Sequence, residues 1–191
     1  EISEIFVSTD CDSIADIAKK NNIKIIKRPA ILASDTSPEW LSWKHAIDYV
    51  NKNFGTFDRF VSIPTTSPLR SAQDVYSALD KLENTNADVC ISVTPSSRSP
   101  FFNMVKSKDE NYFELAIQSK DKINRRQDSP KIFDITTVVY AAKVDFIKQH
   151  DSIFSGKVAA VVIPKNRSLD IDDIYDFLYA ETLLKGGLHN A

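Results

Sequence analysis

The sequence predicts an α/β fold: a mostly parallel sheet with helices on both faces and a β-rich insertion. Three observations lead there. Short apolar runs alternate with helical patterns through residue 95 and again from residue 143. That alternation, at this spacing, builds strand–helix–strand crossovers and so parallel pairing. Between residues 96 and 142 no crossover helix is visible, and strand-like runs separated by polar turns take its place. The chain has 191 residues, 42% hydrophobic and 26% charged, enough for one soluble domain with a substantial core.

The elements follow in order. EIFVST (4–9) is a short apolar strand running into Asp10. DSIADIAKKNN (12–22) sets Ile14, Ile17 and Ala18 at i, i+3 and i+4, a helix face, with Asn21-Asn22 suited to its C-terminal end. KIIKR (24–28) is a second strand, kept extended to Arg28 by the proline that follows. Ser37-Pro38-Glu39 opens a helix over 37–54, with Leu41, Ala46, Ile47 and Val50 on its apolar side. DRFVSIP (58–64) is a central strand. SAQDVYSALDKLEN (71–84) begins Ser-x-x-Asp, as a capping box does. ADVCISVTP (87–95) is a buried strand. After the insertion come a helix (143–150), a strand (157–164) and a final helix (174–187).

Composition excludes several classes of function. A formal net charge of −2 argues against nucleic acid or an anionic membrane as partner, since both call for a basic patch. No apolar run approaches the roughly 18 residues of a membrane span. EISEIFVSTD carries no signal-peptide pattern and starts as a chain entered just before a strand. Cys11 and Cys90 form no C-x-x-C pair and stand near no histidine, which fits a reducing, cytoplasmic setting. His45, His150 and His189 are far apart, and none has an orienting partner in the pattern. With only four glycines and no Gly-rich loop following the first strand, neither G-x-G-x-x-G nor a P-loop is present.

In open α/β sheets, ligands bind beyond the carboxyl ends of the strands. The polar residues expected there are Asp10, Arg28, Thr66, Ser67, Arg70 and the SLDIDD segment. Within LDID, extended geometry puts Asp170 and Asp172 on one side. Two such carboxylates suit Mg²⁺, which takes one or two carboxylates plus substrate phosphates. The other reading makes Asp172 or Asp173 the cap of the next helix. Arg28 suits a phosphate or a surface salt bridge. In RRQD, Arg125 and its neighbours read first as a solvated turn, and Tyr140, Phe101 and Phe102 as core. In TTSPLR, Pro64 and Pro68 stiffen the exit from the sheet. Thr66 and Ser67 offer hydroxyls near a helix N-terminus, and Arg70 clamps the loop. A capped turn with no ligand accounts for the same residues.

Five motifs together resemble the acylneuraminate cytidylyltransferases, also called CMP-sialic acid synthetases. They are FVSTD (6–10), RPAILASDTS (28–37), TSPLRS (66–71), RRQDSPKIF (125–133) and SLDIDDIYD (168–176), in the family's order across nearly the whole chain. The resemblance implies a Rossmann-like nucleotidyltransferase fold over residues 1–191 as a single domain. It also implies a homodimer in which 96–142 packs on the partner subunit and reaches its active site. The implied reaction joins CTP to a nonulosonic acid, an acidic nine-carbon sugar, and releases pyrophosphate. Carried over by motif, Asp170 and Asp172 bind Mg²⁺ and are catalytic, and Asp10, Arg28 and Ser37 lie by the nucleotide. Thr66, Ser67, Arg125 and Tyr140 lie on the sugar side, with the Arg125 guanidinium pairing the sugar carboxylate.

The chain departs from the family pattern at three places. The family opens with a strand and a phosphate-gripping loop of the type I-P-A-R-x-G-S-K, whereas this sequence begins at the equivalent of the second strand. The expectation is therefore a weak or inactive catalyst, and a non-catalytic dimeric homologue that binds a sugar acid or acts as a scaffold stays open. Pro64 stands where the family usually has Gln, and ITTVVY (135–140) replaces the family's N-G-A-x-Y. Both changes fall on the sugar side and leave the acceptor open.

Overall fold

The computed structural model describes residues 2–34, 36–118, 123 and 125–187; Asp35 of the ASDTS segment and His189 lie outside them. The elements run β1 (Phe6–Thr9), α1 (Asp12–Lys20), β2 (Lys24–Lys27), α2 (Glu39–Asn53), β3 (Arg59–Ser62), α3 (Ala72–Asn84), β4 (Val89–Pro95), β5 (Val105–Ser107), β6 (Phe113–Leu115), β7 (Phe133–Lys143), α4 (Val144–Gln149), β8 (Val158–Val162) and α5 (Ile174–Lys185). Strands β1 and β2 pair in parallel, Phe6 opposite Lys24 through Thr9 opposite Lys27. β3, β7, β4 and β8 form a four-stranded sheet in that order, and β5 and β6 an antiparallel pair. Thus β7, placed by sequence inside the insertion, lies between β3 and β4, and the insertion's separate sheet is β5–β6.

The chain divides into two compact units. The first comprises Glu1–Ser62, Leu82–Val89 and Ala141–Ala159. Here α1 packs on β1 and β2 through Ala15 and Ala18, while Ile14 and Ile17 stay exposed. The small alanines, rather than the isoleucines, form the contact stripe. The helix carries Asp12 in its first turn and Lys19 and Lys20 in its last, complementing the helix dipole. It ends at Asn22, whose φ of 57° is a conformation asparagine tolerates. Helix α2 buries Trp40, Trp43 and Ile47, while Leu41 stays exposed. The buried indoles are satisfied: Trp40 Nε1 donates to the His150 carbonyl at 2.7 Å and Trp43 Nε1 to Glu39 Oε1 at 3.0 Å. The Phe146 ring meets Trp40 edge-on and stacks on His150.

The second unit comprises Ile63–Lys81, Cys90–Tyr140 and Ala160–Ala191. Leu69, Ala78, Val138, Val139 and Ile163 are fully enclosed in its core. Ser92 is buried among them with its hydroxyl satisfied, accepting from Val139 N at 3.0 Å and Thr136 Oγ1 at 2.9 Å and donating to Thr136 O at 2.9 Å. The predicted capping box of α3 is present: Asp74 N donates to Ser71 Oγ at 3.2 Å and Ser71 N to Asp74 Oδ2 at 2.8 Å.

Candidate active site

In the first unit, the parallel pairing of β1 and β2 brings their carboxyl ends side by side, so Asp10 and Arg28 leave the sheet at the same edge. Arg28 N donates to Thr9 O at 2.9 Å. Its guanidinium folds back on Ser8, with Nη2 to the carbonyl at 2.7 Å and Nε to Oγ at 3.2 Å. Among the described residues no carboxylate is seen paired with Arg28. Asp10 is exposed, and its carbonyl accepts from Lys27 Nζ at 3.0 Å. Ser37 does not cap α2: Pro38 holds the N-cap position, and the Ser37 hydroxyl is buried with no hydrogen-bond partner. A buried hydroxyl left this way is costly, and a ligand would satisfy it.

In the second unit, the TTSPLR loop, β7 and the LDID segment come together. Ser67 is completely buried, its Oγ 2.6 Å from Thr137 Oγ1. Ile171 N donates to Thr66 O at 2.9 Å, which pins the acidic segment to the loop. The Arg70 guanidinium donates to the carbonyls of Ile63, Pro64 and Thr137. Burial pulls its pKa down, against the opposing fields of Asp170 and Asp74, and Nε is buried without a partner. Asp170 Oδ1 is likewise buried and unpaired. The capping alternative resolves onto Asp173, whose side chain accepts from Tyr175 N and Asp176 N, while Asp176 accepts from the Asp173 backbone. The cap thus leaves the carboxylates of Asp170 and Asp172 out of its hydrogen bonding.

Arg125 lies in an exposed turn, its guanidinium in two bonds to Asp128 at 2.9 and 3.0 Å. Tyr140 is buried on β7, three residues beyond Thr137. Beside the Arg125 turn, a cavity of about 570 Å³ is lined by Ser96, Arg98, Ser99, Gln127 and Lys131 among others, with two cations and no carboxylate among the described residues. Among the described residues no three His, Cys, Asp or Glu side chains gather as a ready-made metal cage. Two carboxylates alone are what Mg²⁺ uses when substrate phosphates and water complete its shell. An unpaired buried carboxylate oxygen fits that role.

Two residues that matter here escaped the sequence reading. Thr137 was visible only as a departure from a family motif. Arg167 forms a bidentate pair with Asp74, 93 positions away, a distance no local pattern reveals.

The chain is 31% identical over 184 residues to post-translational flagellin modification protein B of Campylobacter coli, covering 95% of this chain and 77% of that protein. It is 30% identical to the CMP-N,N'-diacetyllegionaminic acid synthase of Campylobacter jejuni, covering 94% and 76%. The chain belongs to the acylneuraminate cytidylyltransferase family. An N-acylneuraminate cytidylyltransferase of Streptococcus agalactiae is 25% identical, covering 92% of this chain and 41% of that longer protein. No family model matches the sequence. CMP:2-keto-3-deoxy-manno-octonic acid synthetase complexed with CTP superposes with a TM-score of 0.61 at 13% identity, over 96% of this chain and 82% of that one. The fold is therefore the Rossmann-like nucleotidyltransferase fold.

Proposed function

We propose that this cytidylyltransferase-family enzyme transfers CMP from CTP to a nonulosonic acid. The anomeric oxygen of the sugar forms a bond to the α-phosphorus. The α-phosphorus bond to the bridging oxygen breaks, pyrophosphate leaves with the electron pair, and the hydroxyl proton is released. The observation that carries the reading is the buried, unpaired Oδ1 of Asp170, on a segment pinned to Thr66. Asp170 and Asp172 hold Mg²⁺, which when bound neutralises triphosphate charge and activates the attacking hydroxyl. Arg28, Asp10 and the free hydroxyl of Ser37 take the nucleotide. Thr66, Ser67, Arg125 and Tyr140 belong to the acceptor, and the cationic cavity beside the Arg125 turn suits an acidic sugar. The reaction needs positioning and charge neutralisation rather than a covalent side chain.

The chain acts as one catalytic domain and as a homodimer through the 96–142 segment, whose β5–β6 pair and flanks expose Val105, Tyr112, Phe113 and Ile117. Two free thiols suit a reducing compartment such as the cytoplasm. Among the described residues no helix is long and apolar enough to cross a membrane. The names of the relatives support catalysis over a non-catalytic homologue.

The test is pyrophosphate release from CTP and Mg²⁺ with a panel of sialic, legionaminic, pseudaminic and 3-deoxy-octulosonic acids. The reading expects CTP- and Mg²⁺-dependent release with at least one nine-carbon acid. Sugar binding by calorimetry with no Mg²⁺-dependent CTP binding and no release would replace it with the non-catalytic homologue.

A further inference from the structure

Among the described residues the buried Oδ1 of Asp170 has no hydrogen-bond partner, so the loop that carries Asp170 does much to set its place. That loop leaves β8 through a turn in which Arg167 N donates to Pro164 O at 3.0 Å. The Arg167 side chain then reaches α3: Nη2 donates to Asp74 Oδ1 at 2.9 Å and Nε to Asp74 Oδ2 at 3.1 Å. This fork-on-carboxylate geometry constrains orientation as well as distance. Asp74 is only 5% exposed and is itself fixed by the capping box at the start of α3. Four residues past Arg167, Ile171 N is tied to Thr66 O. The acidic segment is thus anchored on both sides of Asp170, at Arg167 and at Ile171. Arg70, which clamps the same Thr66 loop through Ile63 O and Thr137 O, has Asp74 and Asp170 as its two carboxylate neighbours. The charges alternate along the string Arg167, Asp74, Arg70, Asp170.

A largely buried ion pair of this kind is weak as a source of stability, because desolvation offsets much of the attraction; its best-attested use is to select one arrangement. Metal ligands need their place held to within about 0.5 Å by groups that do not touch the metal. We propose that Arg167, held by Asp74, is a positioning residue that sets the 165–172 loop so that Asp170 and Asp172 present their carboxylates together. The inference rests on the assignment of Asp170 and Asp172 to the cation.

The informative variant is Arg167→Gln, which removes the fork and leaves the capping box of α3 intact. Two quantities are read on folded protein. The first is the exchange rate of the Ile171 amide by NMR, without metal or nucleotide. The second is Mn²⁺ affinity in the presence of CTP, by electron paramagnetic resonance. Arg167→Gln is expected to speed Ile171 exchange at least tenfold and to weaken Mn²⁺ about tenfold, the lower end for loss of an outer partner of a metal ligand. Arg167→Lys should recover part of both. Lys19→Gln, which breaks the exposed Lys19–Asp16 pair on α1, should change neither. Should Arg167→Gln not fold, Asp74→Asn, which still accepts from Ser71 N, gives the same two readings. Wild-type exchange at Ile171, or unchanged Mn²⁺ affinity, overturns the inference. The metal assignment fails separately: Mn²⁺ binding insensitive to Asp170→Asn overturns that assignment and the inference with it, whatever Ile171 shows.

Discussion

Asp170 and Asp172 sit two positions apart, and neither carboxylate takes part in the cap of the helix that follows. Asp173 and Asp176 complete the cap of α5, which frees the pair before them. Asp170→Asn should lower Mg²⁺-dependent turnover by at least about a hundredfold, as expected when several kcal/mol of charge stabilisation are lost; initial rates across a Mg²⁺ series check it. Asp74 behaves differently. Burial alone would raise its carboxyl pKa, yet the bonds from Arg167 and Ser71 outweigh burial and hold it below the usual range. Its folded pKa therefore lies below its unfolded value of about 3.9. The stability it contributes is fully present above that pH and is lost as pH falls through the folded value. Wild type and Asp74→Asn should accordingly differ most near neutrality and converge below about pH 4 in urea unfolding. The two thiols also separate. Cys90 is buried and pushed up to about 11 by desolvation, while the exposed Cys11 thiol is lowered by its hydrogen bond to Ser13, then by nearby backbone bonds. A thiol–disulfide reagent should titrate one cysteine per native chain and two after denaturation. The Asp170–Asp172 spacing could be read from the sequence because it is local. Arg167 was not, because its partner is brought by the fold.

At the scale of elements, what a helix buries was less legible than the helix itself. Periodicity marked Ile14, Ile17 and Ala18 on α1; Ala18 is buried, with Ala15 beside it, while Ile14 and Ile17 stay exposed. For α2, the pattern left out the tryptophans, whose N–H groups need named acceptors before they can be enclosed, and those acceptors are Glu39 and the distant His150. The long run Phe133–Lys143 read as a strand but not as a sheet partner, since pairing across forty residues leaves no local mark. One glycine carries a specific packing role. A Cβ on Gly156 would overlap the Phe146 ring and lie 2.9 Å from Asp88 Oδ2, which accepts from Lys157 N. Gly156→Ala should therefore destabilise by about 1–3 kcal/mol, the range for overpacking, measured from the urea midpoint at unchanged slope.

For the whole molecule, alternating strands and helices gave the fold class, and the nucleotidyltransferase fold agrees with it. The proposed site residues appear in sequence only as separate motifs: Asp10 and Arg28 directly follow β1 and β2, whereas the LDID segment lies in the loop beyond β8. The proposed homodimer belongs to this scale. Tyr112 and Phe113 are each 67% exposed beside β5–β6, an apolar surface that a second subunit would cover. Phe113→Asp should shift a dimer to monomer in light scattering behind size exclusion, with the far-ultraviolet spectrum unchanged. The central claim is that the Asp170–Asp172 pair grips the cation that CTP brings. Calorimetric titration of CTP tests it most directly, with Mg²⁺ and with chelator, on wild type and on Asp170→Ala. The account predicts Mg²⁺-enhanced binding in wild type that is lost in the variant. Equal CTP affinity in all four titrations would contradict it.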